Sequence, residues 1–231
     1  MRAVILAGGK GRRLQPYTAV FPKPLVPLGD RPIMEIVVGQ LRDAGITDLT
    51  FAVGHLAGLI QAYFGDGARL GVRIEYSLED QPLGTAGPLS LMSPPNEDFL
   101  VMNGDLLTDL DFGVFVQAHR ASGAIATLAV YRKAVDITLG VLDVDESNRV
   151  RGYTEKPTLH YDVSSGIYCF RPEVLPFLER GQRCDLPELV LRLLRQDQAV
   201  HAYRFGGYWL DIGRPEDYET AIEEVAKGRF G

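Results

Sequence analysis

The chain opens with residues suited to holding phosphate: Leu6-Ala7-Gly8-Gly9-Lys10-Gly11-Arg12-Arg13-Leu14-Gln15-Pro16, then Phe21-Pro22-Lys23-Pro24-Leu25. Gly8, Gly9 and Gly11 let the backbone approach a charged group and leave its N–H groups free to point at an anion. Lys10, Arg12, Arg13 and Lys23 bring side-chain charge to the same stretch. A short apolar run, Ala3-Val4-Ile5-Leu6, precedes the loop, and α/β sheets hold phosphates at the carboxyl ends of their strands in this way. Neither of the two commonest phosphate loops is present. A Walker A loop needs glycine where Val4 stands and Ser or Thr where Gly11 stands; a dinucleotide loop needs its third glycine at Leu14. The glycines alone would also suit a tight turn with φ > 0, but the basic residues and the position behind a strand favour phosphate. Lys23 is held between two prolines, which remove backbone donors and fix local geometry. That presents one ammonium with little freedom.

Further residues downstream have chemical potential. Gln81-Pro82-Leu83-Gly84-Thr85-Ala86-Gly87 is a turn with two glycines before a helical run, and Asn103-Gly104-Asp105 ends an apolar strand. Glu155-Lys156-Pro157 follows a hairpin, and Trp209-Leu210-Asp211-Ile212-Gly213 follows a glycine pair. Asp105 lies where a parallel strand delivers a side chain to a ligand crevice. A carboxylate there suits Mg²⁺, which takes one or two carboxylates plus substrate phosphates, with Asp211 as the second ligand. The alternatives are that Asn-Gly-Asp is turn chemistry and that Asp211 pairs with an arginine. Lys156, preceding a proline, is expected in an extended conformation; its alternative role is a solvated surface lysine.

The elements that must position these groups follow from apolar periodicity. Strands are expected at Ala3–Leu6, Ile46–Val53, Val72–Tyr76, Phe99–Met102, Ile125–Val130 and Val163–Phe170. Ile33, Val37, Leu41 and Ala44 form a helical stripe, with Pro32 in the first turn and Gly45 just past the end. Helices are also expected at 55–64, from Asp111 as N-cap through His119, at 189–195 behind a capping-box-like Asp185, and from Pro215 to Lys227-Gly228. Val141–Val144 and Arg149–Tyr153 make a hairpin. Strand–helix alternation predicts an α/β fold with a mainly parallel central sheet covered by helices on both faces.

With 231 residues and 46% hydrophobic content, the chain can bury one sizeable core. Its net charge of −6 argues against coating nucleic acid, which needs a basic face. The basic loop is a local exception that fits a small anionic ligand. Cys169 and Cys184 have no metal or redox spacing and read as reduced thiols. Without a secretory leader or an apolar run long enough for a membrane span, a cytoplasmic location is expected.

Taken together, Leu-Ala-Gly-Gly-x-Gly-x-Arg-Leu-x-Pro with Pro22-Lys23-Pro24-Leu25, Leu83-Gly84-Thr85-Ala86-Gly87, Asn103-Gly104-Asp105 and Glu155-Lys156-Pro157 resemble the sugar-1-phosphate nucleotidylyltransferases, those of the mannose-1-phosphate guanylyltransferase kind in particular. The resemblance covers nearly all of the chain. It implies a Rossmann-like nucleotidyltransferase sandwich in which residues 1–110 bind nucleotide and residues 111–231 bind sugar phosphate. It implies transfer of a nucleotidyl group from an NTP to a sugar 1-phosphate, releasing pyrophosphate, with Mg²⁺ on Asp105 and Asp211. GTP is the favoured donor and mannose or heptose 1-phosphate the favoured acceptor; uridylyl or thymidylyl transfer to another sugar remains the alternative.

By the same resemblance, Arg13, Lys23 and Asp105 are catalytic. Leu6, Ala7, Gly8, Gly9, Gly11, Arg12, Arg13, Gln81, Gly84 and Thr85 bind the nucleotide, and Gly140, Glu155, Lys156 and Ser165 bind the sugar phosphate. The expected partners are these two substrates, with neither nucleic acid nor membrane and with homodimerisation left open. Arg12 departs from the family's usual Thr or Ser. The chain ends soon after Asp211, so the C-terminal β-helix of many relatives is not expected. Two competing readings are a glycosyltransferase using Asp109-Leu110-Asp111 and a nucleotide-sugar-binding regulatory subunit. The first leaves Lys23 and the glycine loop unexplained, and the second does not need the retained Arg13, Lys23, Asp105 and Asp211.

Overall fold

The computed structural model describes residues 1–230. The first strand, β1 (Arg2–Ala7), leads into the glycine loop. A minimal hairpin of β2 (Pro27–Leu28) and β3 (Arg31–Pro32) enters α1 (Ile33–Asp43). There follow β4 (Asp48–Val53), α2 (Ala57–Phe64), β5 (Arg73–Leu78), β6 (Phe99–Asn103), β7 (Leu106–Thr108) and α3 (Phe112–Ser122). The remainder comprises β8 (Ala126–Asp136), β9 (Val141–Val144), β10 (Val150–Thr154), β11 (Thr158–Phe170), α4 (Leu186–Arg195), β12 (Val200–Phe205), β13 (Trp209–Asp211) and α5 (Pro215–Ala226).

Seven strands form the central sheet in the order β12-β8-β11-β6-β1-β4-β5. All of its pairings are parallel except those of β11, which runs antiparallel to β6 and β8. The direction of winding reverses beside β1, with β4 and β5 on one side and β6 on the other. A parallel sheet opens a crevice at such a reversal, at the carboxyl ends of the strands. Gly8 follows β1 there, and Gly104-Asp105 follows β6.

The period-two alternation of β1 sends its side chains into two cores. Ala3, Ile5 and Ala7 pack with Val37 and Leu41 of α1, Ile60 of α2 and Phe115 of α3. Val4 faces the other side, with Phe99, Phe170 and the Leu186, Leu189 and Leu193 stripe of α4. Both faces are therefore covered, which is why the inner strands read as continuous apolar runs. A third cluster joins Leu14 to Ile33, Ile36, Leu107, Ile212 and Tyr218. It ties the exit of the glycine loop to β7, the segment after β13, and α5.

Several expectations need local correction. Pro32 is the N-cap of α1, extended at φ −64°, ψ 152°, rather than part of its first turn. The run after Gly84 is a single 3₁₀ turn, Gly87–Ser90. α4 starts at Leu186, and Asp185 makes no side-chain cap to it; the hydroxyl of Thr85 accepts from Leu186 N instead, at 2.7 Å. Lys156 is not extended: it has φ +45°, because Glu155 and Lys156 form the tight connection between β10 and β11. β8 and β11 are longer than expected. Beyond the last pairing with β12, residues 132–136 pair with 158–162 as a two-stranded arm that carries the β9–β10 hairpin. Arg132 and Lys133 leave the β8 half of that arm without apolar alternation, whereas Leu159, Tyr161 and Val163 alternate along the β11 half.

Candidate active site

Two cavities meet at the crevice. The larger, about 480 Å³, is lined by Leu6, Ala7, Gly8, Gly9, Lys10, Gly11, Arg12, Arg13, Lys23, Glu79, Gly84, Thr85, Asn103 and Asp105, among others. The smaller, about 300 Å³, is lined by residues including Ser164, Ser165, Tyr168, Pro187, Trp209 and Asp211. Thr85 and Asn103 belong to both.

The glycine loop is shaped by close approach. Gly11 sits at φ +60°, and a Cβ there would meet Thr18 at 3.0 Å and Lys23 Cβ at 3.1 Å. Thr18 Oγ1 donates to the Gly11 carbonyl at 2.8 Å. The loop therefore rests directly on the backbone side of Lys23. At Gly8, a Cβ would fall 2.5 Å from Glu79 Oε1, so a larger residue would force the Glu79 carboxylate to move.

Lys23 Nζ contacts Asp105 Oδ2 and lies 4.0 Å from Asp211 Oδ1. The two carboxylates are brought together by the β7–β13 ribbon. Asp211 pairs with Leu106, beside Asp105, and Ile212 N donates to the Asp105 carbonyl at 3.1 Å. Burial pushes the Asp211 carboxyl above its ordinary range, and Asp105 adds to this while Lys23 and Arg13 oppose it. Asp105 Oδ1 is buried without a hydrogen-bond partner. Such an orphaned acceptor is costly unless something pairs with it.

The turn at 83–87 is clasped to the start of α4. Thr85 N donates to Asp185 Oδ1 at 3.1 Å, and the Cys184 carbonyl accepts from Ala86 N and Gly87 N at 2.9 and 3.0 Å. Glu79 Oε2 accepts from Leu83 N at 2.8 Å. Burial raises the Glu79 pKa, and that hydrogen bond partly offsets the shift.

Asp109 and Asp111 are committed to structure. Asp111 caps α3 by accepting from Val114 N at 2.9 Å. Asp109 accepts from Tyr208 N at 2.7 Å and faces Arg229 at 3.6 Å. The Asp-x-Asp pattern therefore has a structural explanation.

The chain matches the nucleotidyl transferase family over residues 2–228. It belongs to that family. It is 36% identical to a UTP–glucose-1-phosphate uridylyltransferase of Synechocystis, over 97% of this chain and 63% of that protein. It is 34% identical to a mannose-1-phosphate guanyltransferase beta-B of Xenopus laevis, over 96% of this chain and 64% of that protein. The chain thus spans a little under two thirds of the curated relatives it matches. A Bacillus anthracis structure, provisionally described as a glucose-1-phosphate thymidylyltransferase, superposes with a TM-score of 0.76 at 25% identity, over 96% of this chain and 94% of that one. The relatives carry different base names at similar identity, so likeness alone does not choose the base.

Every expected nucleotide residue except Gln81 lines the larger cavity. Gln81 is exposed, and Glu79, two residues earlier, lines the cavity instead. Ser165 lines the smaller cavity, but its hydroxyl donates to the Ala129 carbonyl at 2.8 Å. Gly140, Glu155 and Lys156 line neither cavity. They stand on the arm, where Glu155 accepts from Tyr153 Oη at 2.7 Å and faces Lys156 at 3.9 Å. Among the described residues, no group of three or more His, Cys, Asp or Glu side chains is placed to hold a metal. Two facing carboxylates with a buried orphan oxygen nonetheless fit Mg²⁺ that completes its shell with substrate phosphates. No helix among the described residues is long and apolar enough to cross a membrane.

Proposed function

We propose that the chain transfers a nucleotidyl group from an NTP to a sugar 1-phosphate, releasing pyrophosphate, with GTP the favoured donor and mannose or heptose 1-phosphate the favoured acceptor. The observation that carries this reading is Lys23 held between Asp105 and Asp211 where the two cavities join. One cavity presents backbone amides and cations for a triphosphate. The other is an uncharged recess apart from Asp211, suited to a sugar.

The attacking group is already a phosphate anion, so no strong general base is required. Its oxygen forms a bond to the α-phosphorus as the bond to the bridging oxygen breaks, and pyrophosphate leaves with that electron pair. The catalytic work is to hold two polyanions in line and offset their repulsion. Gly8, Gly9 and Gly11 offer backbone N–H groups to the triphosphate, with Lys10, Arg12 and Arg13 around it. Lys23 faces the charge that builds on the α-phosphoryl oxygens. Asp105 and Asp211 are the residues to hold Mg²⁺, which when bound supplies positive charge at the reacting phosphates. Sugar-phosphate contacts by Gly140, Glu155 and Lys156 require the arm to reach toward the smaller cavity.

Glu79 supports guanine as the base. Its free Oε1 is an anionic acceptor in the nucleotide cavity. Guanine offers adjacent N–H donors, whereas uracil flanks one N–H with two carbonyls that a carboxylate repels. We further propose a cytoplasmic protein whose buried Cys169 and Cys184 stay reduced, with nucleotide and sugar halves at 1–110 and 111–231. Pyrophosphate release from four NTPs, each against several sugar 1-phosphates, tests the reading. Glu79→Gln should lower kcat/KM for GTP at least about tenfold and narrow the GTP/UTP ratio. An unchanged ratio would remove Glu79 from base selection, and no pyrophosphate from any pair would sink the transferase reading.

A further inference from the structure

Lys23 engages the two carboxylates that a divalent cation would need. Its ammonium contacts Asp105 Oδ2 and lies 4.0 Å from Asp211 Oδ1. Among the described residues, no other cation comes within 4.0 Å of either carboxylate. An oxygen engaged by an ammonium has to give up that charge-assisted hydrogen bond before it takes a metal.

The ammonium is held there by its own backbone. Pro22 and Pro24 flank Lys23, which opens a single 3₁₀ turn, Lys23–Leu25. Leu25 N donates to the Pro22 carbonyl at 2.9 Å and Val26 N to the Lys23 carbonyl at 3.1 Å. The glycine loop closes over the stem, since a Cβ on Gly11 would stand 3.1 Å from Lys23 Cβ. The side chain is only 12% exposed, so its remaining freedom is at the ammonium end. The open space beside it is the larger cavity, which Lys23 lines together with Gly8, Gly9 and Arg13.

Charge decides what moves the ammonium. A divalent cation arriving by itself meets an ammonium already on the carboxylates, and like charges at this range repel. Two carboxylates cannot neutralise an ammonium and a dication together. A triphosphate adds the missing anionic charge. It gives the ammonium new partners in the larger cavity and leaves Asp105 and Asp211 free for the metal. Asp105 Oδ1, buried without a hydrogen-bond partner, is an acceptor that such a cation would satisfy.

We infer that Lys23 competes with the divalent cation for Asp105 and Asp211, so that the chain refuses free Mg²⁺ and takes it up with an NTP, as the ammonium passes from Asp105 to the phosphates. This rests on the proposed NTP and Mg²⁺ reading of the site. It gives Lys23 a second role, separate from the charge it offers the α-phosphoryl group: it keeps metal out of the site until nucleotide is present.

Equilibrium dialysis against Mn²⁺, a stand-in for Mg²⁺, measures the metal held by the chain without any turnover. At matched free Mn²⁺, the wild type should bind it at least about tenfold more tightly with GTP, UTP or dTTP present than alone, a factor usual for two coupled ligands. Lys23→Met keeps an unbranched side chain and drops the charge. It should bind Mn²⁺ without nucleotide at least about tenfold more tightly than the wild type does. Lys23→Arg, which keeps the charge, should stay near the wild type. Adding Asp105→Ala to Lys23→Met should abolish the gain. In melts without nucleotide, Mg²⁺ should raise the Tm of Lys23→Met and leave that of the wild type nearly unchanged, because only a ligand bound to the folded chain stabilises it.

Equal Mn²⁺ affinity in the wild type and Lys23→Met would overturn the inference. So would a gain that survives Asp105→Ala, or wild-type uptake as tight without nucleotide as with it. The last comparison needs no variant and stands even if Lys23→Met does not fold. Nucleotide-driven uptake without pyrophosphate from any sugar 1-phosphate would support the inference and remove the transferase reading. Pyrophosphate release with Mn²⁺ affinity unmoved in Lys23→Met would do the reverse.

Discussion

Asp105 has one oxygen against Lys23 and one that is buried without a partner, and Asp211 shares the same ammonium. Asp105→Ala removes the orphan acceptor and the proposed metal ligand together. Turnover should fall by at least about 10³-fold, the scale of losing a principal electrostatic group, while the circular dichroism spectrum is retained. A near-normal rate at saturating Mg²⁺ would remove Asp105 from the metal site. His119 supplies a test of a different kind. It is fully buried, with Nδ1 2.8 Å from Thr127 Oγ1 and Nε2 without a partner. Burial, the largest cause, lowers its pKa below the ordinary 6.5. The unfolded chain therefore binds the proton more readily. The stability associated with neutral His119 is complete above the unfolded value and is lost as pH falls through it toward the folded value. Urea midpoints should drop between pH 8 and pH 5, and that drop should shrink in His119→Phe. An identical slope in both proteins would assign the acid sensitivity to other groups. Lys23, Asp105 and Asp211 were legible as residue types in special local settings. Glu79 was not, because Gln81 carried an equally plausible amide in the same turn. Only the structure shows that Glu79 N still bonds the Val53 carbonyl at 3.0 Å, continuing the strand into the crevice, whereas Gln81 lies past the turn in solvent.

At the scale of elements, the 83–87 turn and α4 act as one unit. The Thr85 hydroxyl accepts from Leu186 N, and an Asp185 carboxylate oxygen accepts from Thr85 N. These residues are about a hundred positions apart, so this cap could not be recognised locally; the capping-box reading placed the acceptor on Asp185 because helix signals are sought within a few residues. Thr85→Ala removes the cap and should destabilise the fold by about 1 kcal/mol in urea unfolding. It should also raise KM for the NTP, since Gly84 and Thr85 line the larger cavity, the proposed nucleotide site. A stability loss without any change in that KM would make Thr85 purely structural. By contrast, α1 and the start of α3 were legible almost to the residue, although α3 runs three residues past the expected end at His119. The Ile33, Val37 and Leu41 stripe is buried, and Asp111 caps α3 as its type and position suggest.

At the scale of the whole molecule, cohesion is uneven. β1, β4 and β6 lie in the middle of the sheet with both faces covered, whereas β9 and β10 pair only with each other. Leu142, Val144, Val150 and Tyr153 on that hairpin are 48–65% exposed. Amide hydrogen exchange should therefore be fast along β9 and β10 through local opening, and slow enough in Val4, Ile5 and Val101 to require global unfolding. Equal protection in the two regions would mean that the hairpin is covered in solution. The sequence by itself determined the glycine-rich, basic make-up of the opening loop behind a strand, the parallel α/β frame and the pattern of buried faces. Those features arise from glycine and proline backbone limits and from apolar periodicity, which act over a few residues. Tertiary structure alone decided that Lys23 meets Asp105 across 82 positions, that Glu79 rather than Gln81 enters the crevice, and that at the second cavity Ser164 is exposed while the Ser165 hydroxyl is spent on the Ala129 carbonyl. Each of these depends on strand order, register or a bulge, and those are set by contacts between segments far apart in the chain.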